Sequence, residues 1–373
     1  MEERPVIIVG SGPAGAATAL FLHRRDRALA RDALVLEKAR HPRPKVCAGG
    51  LIPHAASCLR ALDLALTVPH VTVGRAAVTT RRCTVEHEEA ELCRVIRRDE
   101  FDAALVDACR RRGIEVREEE PVIDLRRDGE GIRLVTDSGD YRTRLVIAAD
   151  GSGSLVRRRL IDDAKGQTAR AIMCDVPLTA STWTGFTERR YDFNFADLDR
   201  GVRGYRWAFP CLIDGVPYVN VGAYSLAPSG AALNDSLERY LATMTDVRPR
   251  RHAFPIHWYR RGARLAGPHV LLAGDAAGVD PLMGEGISIA MEYGRFAAHA
   301  AVEAFRQGDF SGRGYQRAIE ASWFGRKLRR LHLSARLFYG VTSPLWFGIA
   351  ERSARARAIG LRWYNGADRW ECQ

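Results

Sequence analysis

Apolar residues gather first into a short run rich in β-branched side chains, Pro5 to Val9. Gly10-Ser11-Gly12-Pro13-Ala14-Gly15 follows, then an alanine-rich segment to about Arg25. A second apolar run, Ala33 to Leu36, stops at Glu37. The pattern predicts strand, glycine loop, helix and strand within about 35 residues, the opening of a doubly wound α/β sheet. A further helix is expected from about Asp99, with Phe101, Leu105 and Ala108 on one face and Gly113 past its end. Ile132 to Thr136 and Tyr141 to Ala149 read as two strands joined by the turn Asp137-Ser138-Gly139-Asp140.

From about Ile161 to His257 short alternating segments replace the strand–helix pairs. In Tyr218 to Tyr224, for example, Tyr218, Asn220, Gly222 and Tyr224 share one face, which predicts antiparallel sheet. Residues from Arg75 to Leu92 are expected to join it. Val270 to Ala273 restores a buried strand, Gly274-Asp275 follows, and a long helix begins at about Gly286. Beyond Trp323 the chain is helical and basic. The expected fold is α/β: an interrupted Rossmann-like nucleotide domain (residues 1–74, 95–160 and 263–322), an antiparallel β-sheet substrate domain (75–94 and 161–262), and a C-terminal helical cap (323–373).

With 373 residues, 46% hydrophobic and 27% charged, the chain can bury a sizeable core, which excludes wholesale disorder. Its net charge of +11 comes from arginine, since Lys38, Lys45, Lys165 and Lys327 are the only lysines. No zinc-finger, RNA-recognition or homeodomain pattern accompanies that charge, so nucleic acid is not an expected partner. Eight cysteines without a CxxC pair exclude the common zinc spacings and a dithiol redox motif, and no metal site is expected. Met1-Glu2-Glu3-Arg4 runs straight into a strand and no apolar run reaches about 18 residues, so a cytoplasmic protein without a spanning helix is expected.

The C-terminal cations raise a different membrane question. Arg326, Lys327, Arg329, Arg330, Arg336, Arg352, Arg355, Arg357 and Arg362 surround Leu337 to Ala350, 14 uncharged residues that include Phe338, Tyr339, Trp346 and Phe347. That stretch is too short to span and is broken by Pro344. It reads either as a peripheral element on the anionic inner face of a membrane or as a helical pair packed over the substrate domain.

The glycine loop suits a dinucleotide. Its glycines permit a tight turn and close approach to a pyrophosphate, and the helix N-terminus adds partial positive charge. Glu37, 22 residues beyond Gly15, can accept from ribose hydroxyls. Ala149-Asp150-Gly151-Ser152-Gly153-Ser154-Leu155-Val156-Arg157 and Gly274-Asp275-Ala276-Ala277 both follow apolar strands. Each alone is ordinary turn chemistry. In this order and spacing, the three segments resemble the fingerprints of the p-hydroxybenzoate-hydroxylase-like flavoproteins, which implies FAD. By that resemblance Asp275 binds the ribityl chain, Arg98 reaches the cofactor, and the Asp150 segment lies where dinucleotide and NADPH contacts meet. With one dinucleotide loop there is no separate nicotinamide domain, so the expected electron donor is NADPH docked without its own fold or a protein such as ferredoxin.

Two further segments resemble the geranylgeranyl reductases. Lys45-Val46-Cys47-Ala48-Gly49-Gly50-Leu51-Ile52-Pro53 is similar to their K-x-C-G-G-G/L loop, and Gly204-Tyr205-Arg206-Trp207-Ala208-Phe209-Pro210 to their Y-x-W-x-F-P strand. With Asp280 to Ile287 after the Gly-Asp motif, the resemblance spans about residues 5 to 300. Ala48 stands where many members have Gly, and Met283 where Thr is common, differences that bear on the substrate pocket. The implied cofactor-binding residues are Gly10, Gly12, Ala14, Gly15, Glu37, Lys38, Cys47, Ala48, Gly49, Arg98, Val122, Gly274, Asp275, Gly284, Gly286 and Ile287. Cys47, Tyr205 and Trp207 are the implied catalytic residues, and Gly50, Tyr205, Trp207 and Phe209 the substrate pocket.

Period-two alternation puts Tyr205, Trp207 and Phe209 on one face, either as a smooth wall for a hydrophobic prenyl or aromatic small molecule or as a core stripe. Reducing an isolated C=C bond by hydride transfer from flavin N5 also needs a proton at the other carbon. Cys47 and Tyr205 are the candidate donors, Cys47 being otherwise a small buried hydrophobe. The resemblance therefore implies an FAD-dependent oxidoreductase that reduces geranylgeranyl-type double bonds. The alternative on the same fold is an FAD-dependent aromatic monooxygenase, a hydroxylase rather than a halogenase. Halogenases carry a W-x-W-x-I-P strand and a tunnel lysine, and none of the four lysines has an obvious claim to that place.

Overall fold

The first apolar run forms the strand Glu2–Val9, whose last four residues are buried, as a strand inside a sheet with neighbours on both sides requires. The computed structural model describes residues 1–161, 167–226 and 230–365. Lys165, Cys372 and the end of the expected cap, 366–373, lie outside the described residues, as do the side chains of Arg357 and Arg362. Glu2–Val9 pairs in parallel with Leu34–Leu36 on one side and Asp140–Ala148 on the other. Glu115–Arg117 extends the first edge and Val270–Leu272 the second, again in parallel. The hairpin Val122–Arg127 and Ile132–Thr136 attaches to Asp140–Ala148. The helices Pro13–Arg25 and Ile287–Gln307 pack on this sheet and against each other. A Cβ at Gly294 would stand 2.8 Å from the Ala14 carbonyl oxygen and the Thr18 nitrogen, so only glycine permits their approach.

The second sheet has eight strands, in the order His252–His257, Thr168–Pro177, Val216–Ser225, Gly204–Ile213, Arg190–Asn194, His70–Thr79, Thr84–Ile96 and Gly50–Leu51. One face carries Ile172, Cys174, Val176, Val219, Val221 and Ala223, which pack under Leu233, Leu237 and Leu241 of the helix Gly230–Leu241. The opposite face carries Tyr205, Trp207, Phe209 and Tyr224. The fold is the interrupted Rossmann-like α/β arrangement expected, with an antiparallel sheet and a helical C-terminal part.

Two details differ from the sequence reading. Arg190–Asn194 runs parallel to its neighbour His70–Thr79, so the second sheet is not wholly antiparallel. That strand also begins at His70, ahead of the boundary drawn at 75, and Gly50–Leu51 belongs to the same sheet. A register shift between Val73 and Arg75 interrupts the alternation there, which hides the first half of the strand from a period-two reading.

After Ala321 the chain forms the helices Trp323–Phe338, Ser343–Arg352 and Ala354–Asn365, the second opening with Pro344 in its first turn. Among the described residues no helix is long and apolar enough to cross a membrane. Phe347 packs on Phe195 at 5.2 Å between ring centroids, Tyr339 donates to the Leu282 carbonyl at 2.5 Å, and Tyr364 donates to Asp280 at 2.9 Å. These contacts seat the cap over the junction of the two sheets.

Candidate flavin and substrate site

The glycine loop leaves the first strand at Gly10 and enters the helix Pro13–Arg25. At Gly15 a Cβ would lie 1.8 Å from the Gly10 carbonyl oxygen, so no other residue lets the helix start this close to the strand. Gly12 and Ala14 stand in the same turn. Glu37 is buried at the end of Leu34–Leu36 and accepts from both the Ser11 N–H and the Ser11 hydroxyl at 2.9 Å. Its backbone is pinned as well: the Glu37 N–H donates to the Arg117 carbonyl and the Glu120 N–H to the Glu37 carbonyl. This brings the start of the Val122–Arg127 strand beside the loop. Lys38 turns outward and is exposed.

Arg43, which sequence reasoning passed over, reaches back across this loop. Its guanidinium lies 3.6 Å from Glu37 and 3.4 Å from Asp102, and 3.5 Å from where a Gly12 side chain would begin. Its Nε is buried without a hydrogen-bond partner. A cation held over a dinucleotide loop fits a pyrophosphate. Lys45, the first residue of the loop similar to K-x-C-G-G-G/L, had no role of its own in the sequence reading. It stacks 3.5 Å above the Phe254 ring, and burial lowers its ammonium to about 8 despite the opposing pull of Asp275. Both residues sit in a loop with no regular secondary structure, so periodicity gives no signal for them.

Asp275 follows the Val270–Leu272 strand and accepts from the Ser152 hydroxyl at 2.8 Å. The Asp150 segment is a brace for this region. Asp150 accepts from the Leu155 and Val156 N–H groups, capping the short helix Leu155–Leu160. Arg157 is buried and donates to the carbonyls of Ser152 and Ala276, both at 2.8 Å. Arg98 is partly buried and donates both arms of its guanidinium to Asp102, at 2.8 and 2.9 Å, while lying beside the Cys47 thiol.

Cys47, Ala48, Gly49 and Gly50 line a cavity of about 500 Å³, together with Gly284, Gly286 and Ile287. This size is usual for a small-molecule site, roughly 300–1,000 Å³. Tyr205, Trp207 and Phe209 form one wall. Trp207 donates to Asn220 at 2.8 Å and lies flat over Gly222, where a Cβ would be 2.1 Å from the indole. Asn220 in turn donates to Asp175 at 2.7 Å. The Tyr205 hydroxyl donates to the Met283 carbonyl, and burial pushes its pKa well up. Tyr191, Phe193 and Phe195 form a second aromatic row unforeseen in the sequence, Tyr191 stacking on Phe209 at 5.1 Å. Their period-two spacing was the available signal. From the cap come Phe338, Tyr339, Phe347 and Tyr364.

The residues around the first loop fit FAD: a glycine turn that only hydrogen-sized side chains allow, a buried acid at the strand end, and a buried arginine nitrogen without a hydrogen bond. Removing Glu37 tests this. Glu37→Ala is expected to weaken FAD retention about tenfold or more, because the ribose hydroxyls lose a charged acceptor; retention equal to wild type in desalting and fluorescence titration would remove Glu37 from that role.

Comparison with known proteins agrees with the geometry. Residues 3–202 match the family model described as an FAD binding domain. A menaquinone reductase of Mycolicibacterium smegmatis is 29% identical over 321 residues, covering 79% of this chain and 75% of the relative. A geranylgeranyl bacteriochlorophyll reductase-like protein of Thermoplasma acidophilum superposes with a TM-score of 0.78 at 21% identity, covering 97% of this chain and 96% of that one. The flavin-dependent brominase Bmp2 superposes with a TM-score of 0.74 at 18% identity, covering 98% and 94%. The resemblance to geranylgeranyl reductases read from the sequence is thus borne out, while the brominase shows the same fold serving another reaction. The chain belongs to the FAD binding domain family and is an FAD-dependent oxidoreductase.

Proposed function

We propose that this oxidoreductase reduces isolated C=C bonds in a polyisoprenoid chain. The observation that carries the reading is the cavity: about 500 Å³, walled by two aromatic rows and lined as well by the Cys47–Gly50 and Gly284–Gly286 loops. Menaquinone and geranylgeranyl bacteriochlorophyll, named for the relatives above, both bear prenyl tails. Bound FAD, once reduced, supplies a hydride to one alkene carbon.

The chain's own residues supply the rest. Trp207, held by Asn220, and Phe209, held by Tyr191, present apolar surfaces that orient a prenyl chain and exclude water. The other alkene carbon needs a proton. Tyr205 is a poor source, since its proton is engaged by the Met283 carbonyl and burial strengthens its hold. Cys47 is the better one: it lines the cavity, and the thiolate left after donation is stabilised by the Arg98 guanidinium beside it. Among the described residues lining the cavity there is no lysine, which favours reduction over a halogenation that relies on one.

The test is turnover without oxygen. Enzyme reduced with dithionite and mixed anaerobically with a geranylgeranyl lipid is expected to reoxidise its flavin and add two daltons per saturated bond. Absence of anaerobic turnover on any prenyl lipid, together with an oxygen-dependent product from an aromatic compound, would overturn the proposal.

A further inference from the structure

The helix Trp323–Phe338 turns one face to the cavity and another to solvent. The solvent face carries Arg326, Arg330, Leu333 and Arg336, three or four residues apart and therefore aligned along one side. With Arg261 and Arg329 these residues line an open groove that contains five arginines and no carboxylate. Arg326 and Arg329 each spend one N–H on a backbone carbonyl, of Ala321 at 2.9 Å and Glu320 at 3.0 Å. None of the five arginines pairs with a carboxylate among the described residues.

Beside this groove the chain turns between two helices and exposes large apolar side chains. Val341 is 99% exposed, Leu345 62% and Leu333 55%, values that no packing demand of the fold explains. Arg352 and Arg355 follow on the far side of the turn and are exposed. From Trp323 to Arg362 the sequence holds nine cations and one acid, and that acid, Glu351, is taken up by Thr80 at 2.6 Å and by Arg82. An apolar tip flanked on both sides by unpaired cations is the layout of an element that lies in a bilayer interface. An acidic protein partner would match the charge and leave Val341 and Leu345 without a role.

We infer that the Arg326–Arg330–Arg336 face and the Val341–Leu345 turn dock this protein on an anionic lipid bilayer, the arginines taking phosphate headgroups and the turn entering the acyl boundary. The two helices on either side of this turn also line the cavity, with Phe338 and Phe347, so docking holds the cavity near the lipid surface. The inference concerns the surface and does not depend on which bond the enzyme reduces.

Flotation of the FAD-loaded protein tests it. The protein is expected to float with vesicles of phosphatidylcholine and phosphatidylglycerol in equal parts at low salt, to be released by high salt, and not to float with phosphatidylcholine alone. The triple variant Arg326→Gln/Arg330→Gln/Arg336→Gln is expected to lose roughly 10²-fold in vesicle affinity, about fivefold per charge. Val341→Asp/Leu345→Asp is expected to release the protein even with its arginines intact. Retained flavin absorbance shows that the variants fold. No flotation with the mixed vesicles at low salt, or flotation of both variants equal to wild type, would overturn the inference. Salt-sensitive binding of an acidic ferredoxin that is lost in the triple variant, with no vesicle binding by wild type, would assign the groove to a protein partner instead.

Discussion

Replacing Cys47 by alanine is expected, on the proposed function, to slow alkene reduction about 10²–10⁴-fold, the usual cost of removing a positioned proton donor, while the protein stays yellow. The thiol lines the cavity beside the glycine loop, and Gly49 donates its N–H to the sulfur at 3.4 Å, which fixes the side chain relative to the backbone. Single-turnover measurement under anaerobic conditions separates the alkene step from flavin reduction by the external donor. If proton transfer is lost, the rate of flavin reoxidation by the alkene falls and the solvent deuterium isotope effect on that step changes. Tyr205→Phe, by contrast, is expected to cost much less in this step, because its hydroxyl is bound to the Met283 carbonyl. A Cys47→Ala rate equal to wild type, with a large loss in Tyr205→Phe, would exchange the two roles.

The second large effect is on stability and lies where the helices Pro53–Ala61, Ile287–Gln307 and Trp323–Phe338 meet. His54 is fully buried between three helices, its Nδ1 3.3 Å from the Lys327 ammonium and its Nε2 4.0 Å from Glu292. Burial lowers its pKa from 6.5 to about 3, outweighing the nearby Glu292 carboxylate. In the folded chain His54 therefore stays neutral far below the pH at which it protonates in the unfolded chain. Its contribution is complete above about pH 6.5 and is lost progressively as the pH falls toward 3. Between pH 7 and pH 5 the loss is about 2 kcal/mol, from 1.36 kcal/mol per unit. His54→Gln cannot titrate, so its urea midpoint is expected to change less over that interval than that of wild type. Parallel curves for the two proteins would refute the assignment. His54, Cys58 and Glu292 also cluster as metal ligands do, but Lys327 and Arg295, the latter 2.5 Å from Glu292, already supply the positive charge.

What could be read directly from the chain was what is local. The Gly10 to Gly15 loop, the acid at Glu37 and the Gly274-Asp275 turn each lie within a few residues of a strand end, so composition and spacing identify them. The aromatic face of Gly204–Ile213 was also legible, because alternation determines which side chains point together. Its partners were not. Tyr191, Phe193 and Phe195 alternate as clearly, yet only the pairing of their strand with Gly204–Ile213 aims them at the same space. Arg43 and Lys45 belong to an irregular loop, and Phe347 and Tyr364 enter the cavity from the other end of the chain. Their placement follows from tertiary packing, which no local pattern encodes. The strand beginning at His70 was hidden by a bulge for the same reason: one extra residue reverses every face assignment before it.

The flat seat of Trp207 on Gly222 sets a length. Gly222 lies opposite Trp207 in the register of paired strands, and the indole occupies the space a side chain would need. A methyl group at position 222 cannot coexist with the ring in this place and displaces it from the sheet, so the wall it forms in the cavity must move. The reach of the cavity is thus governed by an atom that is missing, and position 222 works as a ruler. If the proposed polyisoprenoid reduction holds, relatives with alanine or serine at this position should accept shorter chains, although the other cavity-lining residues are the same.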